Sequence, residues 1–389
     1  MPYFNYRLHS LAAESASYWQ RRAFLNAWWL LYREDSRWTP PDYRELRREF
    51  DPRRNEHLAR LDATFIHVDA LHRTGLQRSR TDQQDIPLVS VIERPLAGAV
   101  AVIDSRRKGR TAHLALPHFG RDKEAFDVLY YHLVESMAAE GYHRLVAPVG
   151  LSPHLGSGLL VDGWDEWPPS HTPSNPPYVP ELVESSFNPL QDGRLYRAAI
   201  PARPPDARDG PARIQPFAPA RLAGDLLPLL AAAVENPTGG FPPPDAAEAA
   251  FLLRVLGHGD LTGCLAEIDG KPVGFALMGD DSGDWLRATQ GGRSWWRRGW
   301  RVAETGIRGG GRSSQGHLFF GAVLPDWRNR GIGAQLWRRI LARGAARGWG
   351  MLTIGPVWRA RGEHSPAERF LENRAAVPRQ TYRLYERSF

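Results

Sequence analysis

One junction is written twice in this chain. Residues 116–129 read LPHFGRDKEAFDVL and residues 324–337 read LPDWRNRGIGAQLW. Each begins Leu-Pro, carries an aromatic residue at the same offset and runs into apolar residues at helical spacing. A strand-like run precedes each junction, and a buried strand-like run follows each helix, at 145–149 and at 351–357. In both halves the patterns follow one order: strand hairpin, strand, turn, long helix, buried strand, helix, strand. A repeat that fills half of a 389-residue chain is far longer than a solenoid unit, so the chain reads as two copies of one α+β domain.

In the first half, 17–34 reads as an amphipathic helix with Trp19, Phe24, Trp28 and Leu31 near one face. Strands are expected at 88–92 and 98–103, joined by a turn at Arg94-Pro95, and at 111–116. A helix over 122–140, a short helix over 178–187 and a strand over 194–200 complete this half. Residues 201–213 (PARPPDARDGPAR) have no periodicity and form the best linker candidate. The second half reads as helices at 219–235 and 245–256, then strands at 263–268 and 272–278 around an Asp269-Gly270 hairpin turn. Strand 317–324, helix 331–347, strand 351–357, helix 365–373 and strand 381–387 follow. The division expected is a helical extension over 1–60 packed on the first domain, a first domain over 61–203, a linker over 204–212 and a second domain over 213–389.

Lys and Arg number 50 against 43 Asp and Glu, for a formal charge of +7. Nearly all of the positive charge is arginine, the lysines being Lys108, Lys123 and Lys271. A basic balance favours anionic partners such as coenzyme phosphates or nucleic acid, and a GC-rich genome writes arginine for lysine as well. Cys264 is the only cysteine, which excludes an intramolecular disulfide, and it reads as a core residue. No apolar run reaches the roughly 18 residues of a membrane span, and the N-terminus lacks a basic head followed by an apolar stretch. Cytoplasmic residence is expected.

The glycine-bearing junction carries the chemistry. Arg328-Asn329-Arg330-Gly331-Ile332-Gly333 lies between a strand and a helix. Backbone N–H groups in such a turn converge on an anion, and the helix N-terminus adds partial positive charge. Glycine permits both φ > 0 and close approach of a phosphate, and the flanking arginines add charge-assisted bonds. In the first copy Lys123 and Ala125 replace the glycines, while Asp122 and Glu124 bring carboxylates to the place where phosphate oxygens would lie.

The stretch VLPDWRNRGIGAQLW resembles the coenzyme A signature Gln/Arg-x-x-Gly-x-Gly/Ala of the GNAT superfamily of N-acetyltransferases. Arg328, Gly331 and Gly333 fall at its defining positions. The resemblance implies two tandem GNAT-like domains, the first degenerate, each with a mixed, mostly antiparallel central sheet flanked by helices. It implies acetyl-CoA or another acyl-CoA as co-substrate, held by Ala322, Val323, Leu324, Arg328, Asn329, Arg330, Gly331, Ile332, Gly333 and Ala334. No metal is expected. In the family a backbone N–H at a position like Val323 polarises the thioester carbonyl. The downstream run HSPAERFLENRAA keeps Ala367 and Phe370 at family spacing, but has His364 for the usual Asn, Leu371 for the tyrosine that protonates the leaving thiolate, and Ala375-Ala376 for Gly-Phe. In the first half Asn175 and Phe187 keep the register of that motif, with Leu182 at the tyrosine position.

Direct attack of an amine on a thioester needs a base, oxyanion donors and a proton for the thiolate. Strand alternation places His317 on one face with Phe319, Gly321 and Val323, and His317 is a base candidate beside the reading of an exposed strand-end histidine. Glu267 is a second candidate, weighed against a solvated hairpin carboxylate. Tyr382 or Tyr385 is a candidate replacement for the missing acid, weighed against packing. Residues 285–301 interleave tryptophan and arginine, a composition that suits either a lid over the cleft or a grip on an anionic acceptor.

The leading expectation is an acyl-CoA-dependent N-acyltransferase acting on a small-molecule or amino-acid-like amine. Two alternatives stay beside it. Aminoacyl-tRNA-dependent transferases share the tandem fold and would explain the basic charge, but generally lack the glycine cradle. A non-catalytic acyl-CoA-binding protein would explain the missing tyrosine.

Overall fold

In the computed structural model the chain is described over residues 5–78, 87–107, 109–205, 210–217, 226–233, 240–257, 261–294, 313–360 and 365–389. The expected position His364 and residues 295–301 of the tryptophan–arginine stretch lie outside the described residues.

The first half runs β1 (Asn5–Ala12), α1 (Tyr18–Tyr32), α2 (Tyr43–Glu49), α3 (Glu56–Ala59), β2 (Asp62–Arg78), β3 (Pro87–Ile103), β4 (Thr111–Phe119), α4 (Lys123–Ala139), β5 (Arg144–Val149), β6 (Leu159–Asp162), α5 (Tyr178–Glu184) and β7 (Asn188–Ala199). The second runs β8 (Arg213–Pro216), α6 (Leu227–Ala233), α7 (Ala246–Gly257), β9 (Thr262–Ile268), β10 (Lys271–Asp280), α8 (Gly283–Thr289), β11 (Gln315–Val323), α9 (Ile332–Arg347), β12 (Met351–Ala360), α10 (Pro366–Glu372) and β13 (Val377–Ser388). Local rules account for the helix ends. Ser17 and Gln20 form a capping box at α1, Ser365 and Glu368 one at α10, and Gly348 in the left-handed region stops α9. Apolar residues at Ile332, Leu336, Trp337, Ile340 and Leu341 give α9 its buried stripe.

The thirteen strands among the described residues belong to one sheet, ordered β1-β2-β3-β4-β5-β13-β7-β12-β11-β10-β9-β8, with β6 added on β13. Pairing is antiparallel except for β4 with β5 and β11 with β12. The two copies exchange their last strands. β13, from the end of the chain, lies between β5 and β7 of the first half, while β7 pairs with β12 of the second. The cores follow the exchange. Tyr385 packs in the first-half cluster beside Phe126 and Leu145, and Tyr196, Ala198 and Ile200 pack in the second-half cluster beside Leu352 and Ile354.

Three features depart from the sequence reading. The stretch 1–60, expected to be helical, also supplies β1, an edge strand of the sheet. β3 runs unbroken through Arg94-Pro95, because a bulge next to Asp69 absorbs the proline that sequence alone reads as a turn. β2 has no counterpart in the reading; His67 and Asp69 interrupt its run of buried apolar residues, Phe65, Ile66, Val68 and Ala70.

Candidate active site

α9 begins where the second junction ends. Its N-cap Gly331 has φ 82°, in the left-handed region, with no side chain capping the helix. Asn329 is also left-handed at φ 59°. Arg328, Asn329, Arg330 and Gly331 are exposed, so this turn presents backbone and guanidinium groups to solvent. The Arg330 guanidinium lies over the Trp327 ring at 4.9 Å, and Arg328 Nε donates to the Val323 carbonyl at 3.0 Å. A Cβ on Gly333 would stand 3.3 Å from the Phe370 ring, so the downstream run meets the cradle through Phe370. Leu371, at the usual tyrosine position, is buried in the second-half core. The end of the linker passes alongside: the Gln335 amide brackets Ala212, accepting its N–H at 3.1 Å and donating to its carbonyl at 2.7 Å.

The equivalent turn in the first half is filled by its own side chains. Asp122 caps α4, accepting the Ala125 N–H at 3.0 Å. The Tyr6 hydroxyl lies 3.2 Å from Asp122 Oδ1 and donates to Glu124 Oε2 at 3.1 Å. Below it, Phe119 and Phe126 meet edge-to-face at 5.1 Å, and Tyr130 meets Phe187 at 5.5 Å. Carboxylates sit at the helix N-terminus and aromatic rings fill the space beneath.

β11 and β12 pair only from Gln315/Met351 to Leu318/Ile354 and then diverge. Beyond Leu318 the β12-facing edge of β11 is open. Leu324 N–H donates to Val273 O on β10, so by alternation the Val323 N–H points the other way, into the gap. A bulge at Phe319, between the pairs Leu277/Phe320 and Met278/Leu318, resets which face each later side chain takes. The expected shared face of His317, Phe319, Gly321 and Val323 is therefore broken. Phe320, Ala322 and Leu324 join the cluster on the α6–α7 side, and Val323 joins Leu318 on the α9 side.

His317 sits at the closed end of this gap. It is 1% exposed, which removes the water-exposed strand-end reading. Nδ1 lies 3.2 Å from Ser170 O and Nε2 3.0 Å from Gly355 O. A neutral imidazole donates only one N–H, and here both nitrogens face carbonyls, so neither offers a lone pair to an incoming amine. Burial lowers the His317 pKa, opposed by the Asp281 carboxylate and the two carbonyls. The assignment of His317 as a ready base is corrected accordingly: the ring clamps the first-half loop at Ser170 to β12.

Asp281, absent from the sequence reading, lies beside it. Its Oδ1 accepts the N–H groups of Ser170 at 2.8 Å and Gly283 at 2.9 Å. Tyr382 reaches the same neighbourhood from β13. It is fully buried, its hydroxyl is 3.2 Å from Gln380 Oε1, and burial raises its pKa against the opposing Thr172 hydrogen bond. Its ring packs with Leu160 and Leu195. The first-half loop around 170–172 thus roofs the gap of the second half, and only the Pro/Ser-rich composition of 150–180 hinted at a separate role.

Glu267 is placed apart. Along β10, Pro272 faces Glu267 and Gly279 faces His317. Seven residues of strand separate the two levels by roughly 23 Å. The Glu267 carboxylate is buried and accepts from Gln215 Nε2, so it neither shares a site with His317 nor lies in water. Cys264 is buried core as expected, its thiol pushed up to about 11 by burial. Tyr385 donates to Glu184 Oε1 at 3.0 Å within the first half.

Residues 229–372 match the acetyltransferase (GNAT) family. A search of curated proteins found no match. Among solved structures, a tandem GNAT protein from the clavulanic acid biosynthesis pathway superposes with a TM-score of 0.54 at 10% identity, covering 98% of each chain. A probable N-acyltransferase from Enterococcus faecalis superposes with a TM-score of 0.52 at 8% identity over 99% of this chain and 73% of that one. The glucosamine N-acetyltransferase region of a fungal multi-domain β-N-acetylglucosaminidase gives 0.54 at 11% identity, covering 98% of this chain and 38% of that one. At such identities these likenesses bear on fold, and they extend it across both halves. The second half thus matches the acetyltransferase (GNAT) family over residues 229–372, and the likeness of fold to a tandem GNAT protein spans both halves.

Proposed function

We propose that the protein is an acyl-CoA-dependent N-acyltransferase, with acetyl-CoA the expected donor and a small-molecule or amino-acid-like amine the acceptor. The uncapped N-terminus of α9 at left-handed Gly331, against the Asp122-capped N-terminus of α4, carries this reading. The coenzyme's diphosphate would be held by the N–H groups of Gly331, Ile332, Gly333 and Ala334, with Arg328, Asn329 and Arg330 flanking it. Its pantetheine arm would lie along the open edge of Ala322, Val323 and Leu324, with the Val323 N–H polarising the thioester carbonyl. The amine attacks that carbonyl and the coenzyme thiolate leaves. In this reading His317 is a positioning residue that holds the roof at Ser170, and Asp281 is the nearest carboxylate for proton transfer. Tyr382 is retained as a structural neighbour of that group, and Glu267 has no part in the chemistry. The division into 1–60, 61–203, 204–212 and 213–389 is proposed as a description of ancestry, since the exchanged strands interlock the copies. Among the described residues no helix is long and apolar enough to cross a membrane. The cytoplasm is the proposed compartment.

Calorimetry with acetyl-CoA and longer acyl-CoAs tests the cradle. Wild type binds one equivalent and Gly333→Asp, while folded, loses binding. Equal affinity in the two proteins ends the assignment. Thiol release across an amine panel then separates an enzyme from a protein that only binds acyl-CoA.

A further inference from the structure

A second cluster lies at the far edge of the sheet, in the half that lacks the glycine cradle. His9 on β1 stands directly opposite His67 on β2, their rings stacked at 4.3 Å and 8° apart. Asp69, two residues further along β2 and on the same face, brings Oδ2 to 3.2 Å from His9 Nε2 and 3.4 Å from His67 Nε2. The three donor atoms all lie within 4.8 Å of one another.

Those separations match a metal's coordination shell. A tetrahedral Zn²⁺ with bonds of about 2.0–2.2 Å keeps its donor atoms about 3.3 Å apart. A hydrogen-bond account fits less well, because His9 Nε2 is buried and finds no hydrogen-bond partner despite its closeness to Asp69. Nor is the carboxylate claimed by the cation across the strand: Arg7 faces Asp69 in the register but pairs with Glu93 at 2.5 Å. Asp69 is 6% exposed, while the His9 and His67 side chains keep 34% and 22% exposure, which leaves an approach from solvent.

The same cross-strand row continues inward. Gly98 faces His67 and His118 faces Gly98. The His118 ring lies over Gly98, so that a Cβ there would come within 2.3 Å of Nε2. Its Nδ1 lies 3.0 Å from the Leu116 carbonyl, which assigns the proton to Nδ1 and leaves Nε2 a buried lone pair without a partner.

We propose that His9 Nε2, His67 Nε2 and Asp69 Oδ2 form a binding site for a divalent transition-metal cation of borderline softness, Zn²⁺ being the type ion, with at least one coordination position open. Two imidazoles and one carboxylate are the donor set such ions prefer. The site ties β1, paired in the sheet only with β2, to the rest of the first half. It departs from the expectation of no metal, because ligands from two strands nearly 60 residues apart leave no local spacing to read. It is independent of acyl transfer.

The untagged full chain, stripped with chelator, is titrated with Zn²⁺ alone by calorimetry. One equivalent binds and the melting temperature rises by mass action. His9→Ala abolishes both effects, and Asp69→Asn weakens binding at least about tenfold. Co²⁺ in wild type gives the visible absorption of a low-symmetry nitrogen- and oxygen-ligated site, a readout that needs no variant to fold. Absence of stoichiometric Zn²⁺ binding, a Co²⁺ spectrum like that of the aqueous ion, or unchanged affinity in folded His9→Ala overturns the site.

Discussion

Asp122 and Gly331 stand at the N-caps of the two equivalent long helices, and only Asp122 furnishes its helix with a carboxylate. The first copy therefore neutralises its own helix end, while the second leaves its end without a side-chain cap. Asp122→Ala should cost about 1 kcal/mol of stability, the usual worth of an N-cap, and leave acyl-CoA affinity unchanged. Urea melts and calorimetry on the same sample check both halves of the statement. Weakened coenzyme binding in this variant would put the first copy in the cradle's place.

Replacing Gly331 by alanine forces a β-carbon into the left-handed region. A loss of about 1–2 kcal/mol is expected. Acyl-CoA affinity should fall as well, because relaxing the strain turns the helix-start amides away from their common target. A variant as stable and as avid as wild type would show that this turn needs no glycine.

His317 holds Ser170 and Gly355 through its two nitrogens. His317→Gln keeps one donor, and turnover should drop roughly tenfold to a hundredfold through misplacement of the roof, with acyl-CoA affinity retained. As the ring is not presented as a base, the shape of the pH–rate profile should survive. Disappearance of its acidic limb in the variant would restore His317 to proton transfer.

Stability should depend on pH through buried imidazoles. Burial, helped by the Arg107 guanidinium, pushes His113 down to about 3, and burial lowers His317. When unfolded, each titrates near 6.5. Above that value both are neutral in either state and their contribution is fully present. Below it the unfolded chain takes up protons that the folded chain refuses, so stability is lost as pH falls toward the folded values. Burial lowers His9, His57, His118 and His154 as well, and each such group adds a slope of up to about 1.4 kcal/mol per pH unit. Urea melts at about pH 7, 6 and 5 measure the slope, and His113→Leu should lower it by up to about 1.4 kcal/mol per pH unit, one group's share. A flat profile would mean that these rings are not held neutral.

The exchange of β7 and β13 predicts one cooperative unfolding transition rather than two. Deleting 377–389 should unfold the first half as well as the second, because β5 and β7 lose the strand between them. Calorimetric scans and limited proteolysis of the truncated chain decide this. A first half that stays protected would show that the strand is dispensable there.

The repeat was legible because helix and buried-strand patterns are local: α4, α9, β5 and β12 fall within a few residues of the expected ranges. The left-handed turn at Gly331 was legible for the same reason, as its glycines and arginines are contiguous. The surroundings of His317 were not. Ser170 lies 147 residues away in the chain, and the bulge at Phe319 reverses an alternation that sequence alone extrapolates without interruption. Glu267 misled because a hairpin carboxylate looks solvated in sequence, whereas it is buried and bonded to Gln215 on β8. The exchange of last strands leaves no local mark, since β7 and β13 have the same character whichever neighbour they choose.

That exchange also orders events during synthesis. β13 follows β5 by more than 220 residues, so the second half through β13 must leave the ribosome before β5 gains its second neighbour. Until then the N-terminal half waits with an unpaired strand edge, the state in which nascent chains aggregate or recruit chaperones. A premature stop anywhere before β13 would leave β5 and β7 without the strand that lies between them.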